Sequence, residues 1–148
     1  MKAKLRGLLR LSASDRRLVA LAWLRLAAVF AAVRLLSFDR VRRWVAGVPQ
    51  SGSRIAPQRL RRAADLAARH HLLPVRCLER SLALQWALAR SAVVSQLRIG
   101  VRREGGAVTA HAWLEAHGRP LNELGEPAHR YVPLLVDSPT ASESGATR

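Results

Sequence analysis

Three side chains in this 148-residue sequence have the types and order needed for covalent acyl chemistry. Cys77, the chain's only cysteine, opens the stretch "CLERSLALQWALAR", whose pattern predicts a helix. His111 and Glu123 follow in "RIGVRREGGAVTAHAWLEAHGRPLNE", Arg98 to Glu123, which predicts a strand meander. A thiol, an imidazole and a carboxylate in this order are the parts of a cysteine-nucleophile hydrolase or acyltransferase. A lone cysteine is more often a small buried apolar residue than a nucleophile. The expected place of Cys77 argues the other way. At a helix N-terminus the unpaired backbone N–H groups and the dipole favour a thiolate, and the same groups can stabilise an oxyanion.

His111 needs a partner that fixes its tautomer and stabilises its protonated form. If Ala116-His117-Gly118 forms a three-residue hairpin loop with Gly118 in the left-handed position, the register sets Glu115 opposite Arg119 and His111 opposite Glu123. Glu115 lies four residues along the strand from His111, roughly 13 Å away, and is the poorer partner. A one-residue slip would replace Glu123 by Asn122, which can also orient an imidazole. Trp113, on the same face as His111, either walls the site or fills the sheet. Gly100 falls across the neighbouring hairpin from His111, as a close backbone approach or as a strand irregularity.

The elements that must position these groups can be read in order. Ser14 is a candidate N-cap for a helix from Asp15 to about Ser37, with Val19, Ala22, Trp23, Leu26, Val29, Phe30, Val33 and Leu36 as its apolar stripe. Its other side is apolar too, which suits a helix covered on both sides, or one that docks a partner protein or lies on a membrane. "FDRVRRWVAG" gives a second short helix ending near Gly47, and "VPQSGSRIAP" a loop. Pro57 can open a third helix at its first position, over about 58–71, with His70 and His71 at its end as structural or solvent-facing groups. Leu73-Pro74 separates it from the cysteine helix, which begins near Arg76–Cys77 with Leu78, Leu82, Trp86 and Ala89 as core stripe. Strands follow at 94–102 and 108–115 around Glu104-Gly105-Gly106, then at 119–123 and 130–136. Residues 3–12 read as a basic turn or a mobile lead-in. Helices first and an antiparallel sheet afterwards predict an α+β domain. Residues 1–72 form a basic helical region of that domain, 73–136 its reactive core, and 137–148 a disordered tail.

Charge divides along the same line. The formal net charge is +15, and residues 1–74 carry 16 Lys/Arg against 3 Asp/Glu while 75–148 carry 9 against 7. A basic half of this kind attracts nucleic acid, anionic lipid or an acidic polypeptide. No nucleic-acid motif is recognisable, and the few aromatics do not interleave with the basic runs. The stretch from Leu18 to Leu36 is interrupted by Arg25 and Arg34, which argues against a membrane span. The single cysteine excludes an intramolecular disulfide and cysteine-rich zinc sites, and suits a cytoplasmic chain.

"CLERSLALQWALAR", "LRIGVRREGG", "AHAWLEAHGRPLNE" and "YVPLL", over about residues 70–136, resemble the transglutaminase-like leader peptidases of lasso-peptide biosynthesis, the "B" maturation proteins in their stand-alone form. The resemblance implies a papain-like/transglutaminase-like fold and removal of the leader from a ribosomally made precursor peptide. It maps the nucleophile onto Cys77, the base onto His111 and the orienting acid onto Glu123, where the family commonly has Asp. It implies a separate leader-recognition protein and a lasso cyclase as partners, with no cofactor and no metal in the protease itself. Two rival readings remain. One keeps the trio but resolves the thioester with an amine, as an acyltransferase. The other is a non-catalytic basic helical module that binds membrane or nucleic acid.

Overall fold

The computed structural model describes residues 11–123, 127 and 130–136. The expectations for residues 1–10 and for the tail 137–148 lie outside the described residues. Among the described residues four helices, α1 (Ala13–Leu35), α2 (Phe38–Ala46), α3 (Pro57–Arg69) and α4 (Cys77–Arg90), precede four strands, β1 (Gln96–Glu104), β2 (Ala107–Ala116), β3 (Arg119–Pro120) and β4 (Val132–Val136). The strands form one antiparallel sheet in the order β3-β2-β1-β4. The α+β expectation holds.

The first helix starts earlier than the sequence suggested. Ser12, not Ser14, is the N-cap, and its Oγ accepts from the Asp15 backbone N–H at 3.1 Å. Ser14 instead accepts from Arg59 Nη2 of α3 at 2.6 Å, beside an ion pair of Arg59 Nε with Asp15 at 2.7 Å. The bond from Ser12 and the Arg59 guanidinium hold the Asp15 carboxyl below its ordinary range. Because its folded value is depressed, this tie stabilises the fold above the usual carboxylate range and is lost as pH falls through that lower value. The urea midpoints of wild type and Asp15→Asn are therefore expected to differ at neutral pH and to converge in acid.

Leu18, Ala22, Leu26 and Val29 form the buried stripe of α1, whereas Leu24 and Leu35 are exposed. Among the described residues α1 is the one helix long and apolar enough to cross a membrane by length and composition, with a mean hydropathy of 2.0. Here that stripe packs against α3 and α4. His71 secures the same join. Its Nδ1 accepts from the Leu73 N–H, so its Nε2–H donates to the Trp23 carbonyl, and its ring stacks on Trp23 at 4.5 Å. That is a structural role.

The cysteine helix α4 occupies the centre of the molecule, with α1, α2 and α3 on one side and β1 and β2 on the other. Being covered twice, it buries Ser81, Leu82, Ala83, Leu84, Ala87 and Leu88, while Leu78, Trp86 and Ala89 are only partly covered. The single stripe expected for it is thus displaced and widened. The sequence did not announce its Glu79, which is 5 % exposed. One Glu79 oxygen accepts from the Arg76 backbone N–H at 3.0 Å, fixing where the helix begins. The other meets Arg34 Nη1 of α1 at 3.3 Å.

The β1–β2 hairpin follows expectation, with Gly105 and Gly106 at φ +57° and +84° forming a two-residue turn and Gly100 paired with His111. The next hairpin does not. His117 and Gly118 both take positive φ, +50° and +72°, so the loop has two residues rather than three. Ala116 then opposes Arg119, and Glu115 opposes Pro120. The expected Glu115–Arg119 pair is absent. Glu115 instead takes Arg98 Nε at 2.9 Å on one oxygen and the Trp113 indole N–H at 2.9 Å on the other.

Candidate active site

Register alone does not bring Glu123 to His111, because β3 ends at Pro120. Leu121 makes one further ladder bond, its N–H donating to the Leu114 carbonyl at 2.8 Å. Its own carbonyl turns away and accepts from Arg61 Nη1 at 3.2 Å. The vacated acceptor position opposite the Leu114 N–H is taken by Asn122 Oδ1 at 2.8 Å. A side chain thus replaces the strand, and the backbone is free to swing Glu123 across β2. His111 Nε2 and Glu123 Oε1 meet at 2.9 Å, with side chains 21 % and 27 % exposed. At this distance the carboxylate accepts the Nε2–H, leaving Nδ1 as the lone-pair nitrogen while the ring is neutral.

The other end of Asn122 joins sheet to helix. Its Nδ2 donates at 2.9 Å to Ser81 Oγ, which donates at 3.1 Å to the Ala112 carbonyl. Ser81 is fully buried. Cys77 precedes it by one turn of α4, about 6 Å of rise, and His111 precedes Ala112 on β2, so both flank this joint. Cys77 is the first residue of α4, half-buried and unbridged, in a turn whose N–H groups have no intrahelical acceptor. With both of its amide atoms engaged, Asn122 is not available to orient His111. Ser81 carried a signal in the sequence: a hydroxyl four residues after the cysteine in an apolar helix.

Aromatic rings hold the imidazole. Tyr131 stacks on His111 at 5.2 Å and 29°, and Trp113 stacks on it at 6.2 Å and 18°. Trp113 is buried, so it both fills the sheet and backs the site. Gly100, facing His111 across the ladder, allows this stacking. A β-carbon there would lie 2.8 Å from Tyr131 Cβ and 3.1 Å from both Trp113 Cη2 and the Val132 carbonyl oxygen. It also adjoins the register shift by which β4 accommodates one extra residue, so both readings of this glycine apply. Tyr131 was not anticipated from sequence, because its contact depends on β4 returning to pair with β1. Among the described residues no group of three or more His, Cys, Asp or Glu is placed to hold a metal ion.

Comparison with curated proteins and with solved structures finds no match. The profile of the transglutaminase-like superfamily matches residues 17–136. That span takes in most of α1 and every later element, including Cys77, His111 and Glu123. The chain belongs to the transglutaminase-like superfamily, whose members are typically cysteine-dependent enzymes and include peptidases and acyltransferases.

Proposed function

We propose that this chain is a cysteine peptidase that removes the leader from a ribosomally made lasso-peptide precursor in the cytoplasm. The observation that carries the reading is the half-enclosed His111–Glu123 pair on the strand that Ser81 and Asn122 bind to the Cys77 helix. The resemblance of residues 70–136 to stand-alone leader peptidases supplies the substrate class. A papain-like placement of nucleophile helix against sheet belongs to the same reading.

In this mechanism the Cys77 thiolate attacks the carbonyl at the leader–core junction after His111 has taken the thiol proton. The first-turn N–H groups of α4 stabilise the tetrahedral oxyanion. Collapse breaks the C–N bond, and His111 returns its proton to the departing amine of the core peptide. Water, deprotonated by His111, then hydrolyses the thioester and releases the leader as a carboxylic acid. Glu123 holds the imidazole and offsets its charge when it is protonated. A separate leader-recognition protein delivers the precursor, and a lasso cyclase receives the freed core.

Incubation of the purified chain with a precursor and its recognition protein, read by intact mass, tests the proposal. Two fragments whose masses sum to precursor plus water are expected. A product joined to an amine would replace peptidase by acyltransferase, and intact precursor would reject both. The two neighbours Asn122 and Glu123 are expected to fail differently. Glu123→Gln keeps the fold but slows cleavage by about 10²-fold or more, the range of general acid–base assistance. Asn122→Ala leaves the Leu114 N–H without its partner and costs about 1–3 kcal/mol of stability. Thermal melting beside single-turnover rates separates these effects.

A further inference from the structure

At the opposite end of α4 from Cys77, roughly 20 Å along the helix axis, α1, α3, α4 and the loop before α3 enclose a groove of about 900 Å³. Leu21, Leu24, Ile55 and Trp86 are among the apolar side chains that line it. Arg17, Arg25, Arg59 and Arg90 also line it, and no Asp or Glu does. Only Arg59 of these four is matched by a carboxylate among the described residues, that of Asp15. The guanidinium of Arg25 lies 6.0 Å from the centre of the Trp86 ring. Burial and the neighbouring charge of Arg90 both disfavour the protonated form of Arg25, and a bound carboxylate would counter both. Four serines, Ser14, Ser51, Ser53 and Ser91, add hydroxyl groups to the lining. Hydroxyls of this kind suit the amides of a polypeptide better than an alkyl chain.

We propose that this groove docks an acidic amphipathic segment of a partner protein, with its carboxylates between Arg25 and Arg90 and its apolar side chains on Leu21, Leu24, Ile55 and Trp86. The proposal stands on the groove alone and does not require the chain to be a peptidase. Other occupants fit the charge pattern less well. Residues 1–10 carry Lys2, Lys4, Arg6 and Arg10 with no acid, and a second copy brings the same +15. The tail 137–148 carries Asp137 and Glu143 and is the rival within the chain.

The test is fluorescence anisotropy on the full chain at physiological ionic strength. The probes are a labelled peptide with leucines at helical spacing and glutamates between them, and its counterpart with glutamine for every glutamate. The acidic peptide is expected to bind, and Arg25→Gln/Arg90→Gln to weaken it at least tenfold. Arg103→Gln/Arg119→Gln, which removes the same charge from exposed positions elsewhere, should leave binding unchanged. Leu24→Glu, at a position 59 % exposed, gives a second variant that retains the fold and should repel the peptide. Equal losses in the two arginine pairs, or equal binding of the glutamine peptide, would overturn the proposal. Tighter binding after removal of residues 137–148 would assign the groove to the tail instead. Binding confined to phosphatidylglycerol vesicles would assign it to lipid, and a dimer abolished by Arg25→Gln/Arg90→Gln would assign it to a second copy.

Discussion

Cys77→Ala is expected to abolish leader release, with a fall in single-turnover rate of about 10⁴-fold or more, and His111→Ala to do nearly the same. The double variant should be scarcely worse than either single one. In the proposed mechanism nucleophile and base act in one step, so removing either should forfeit what the other contributes. Neither change should unfold the chain. Cys77 is half-buried at the start of α4, whose N-terminal bond is made by Glu79 rather than by the thiol. His111 is held at a partly open face by stacking and by Glu123. Intact-mass kinetics on samples with matched melting curves would decide the matter. A Cys77→Ala protein that cleaved at the wild-type rate would remove the thiol from the mechanism.

Gly100→Ala should damage both stability and rate, although it adds only one methyl group. The added carbon would stand 2.8 Å from Tyr131 Cβ, with the Val132 carbonyl oxygen and the Trp113 ring each at 3.1 Å. None of these is the loose end of a flexible chain. Relief requires β4 to move off β1 or the Trp113 ring to tilt, and overpacking of this kind costs about 1–3 kcal/mol. Tyr131 rests on His111, so the shift passes to the imidazole. A displacement near 1 Å at a reacting group can cost about 10²-fold in rate. Denaturant midpoints and turnover of the folded fraction should both fall. Unchanged turnover would show that Tyr131 does not position the histidine.

The elements themselves were legible because their signals are local: helical apolar spacing, the Leu73-Pro74 break, and paired glycines at 105 and 106. The pairing of an imidazole with a carboxylate, His111 with Glu123, was legible from residue type and order. The departure lies where the ladder stops. A three-residue loop and an unbroken β3 put Glu123 across from His111, whereas the real loop is one residue shorter and the strand stops at Pro120. The two side chains still meet because Asn122 takes over a ladder bond, and no periodicity encodes that substitution. The contacts of Tyr131 and Arg34 have no sequence signal for a related reason. Each acts through a contact across long sequence separation, with His111 and with Glu79 respectively.

The division of the chain by charge invites a division by folding, and the carboxylate of Glu79 argues against it. One of its oxygens sets the first residue of the cysteine helix, and the other holds the arginine of a helix forty-five residues earlier. Whatever releases α1 therefore also loosens the turn on which Cys77 sits. The basic half and the reactive half should melt as one cooperative unit, and docking of the first helix should steady the turn that carries the thiol.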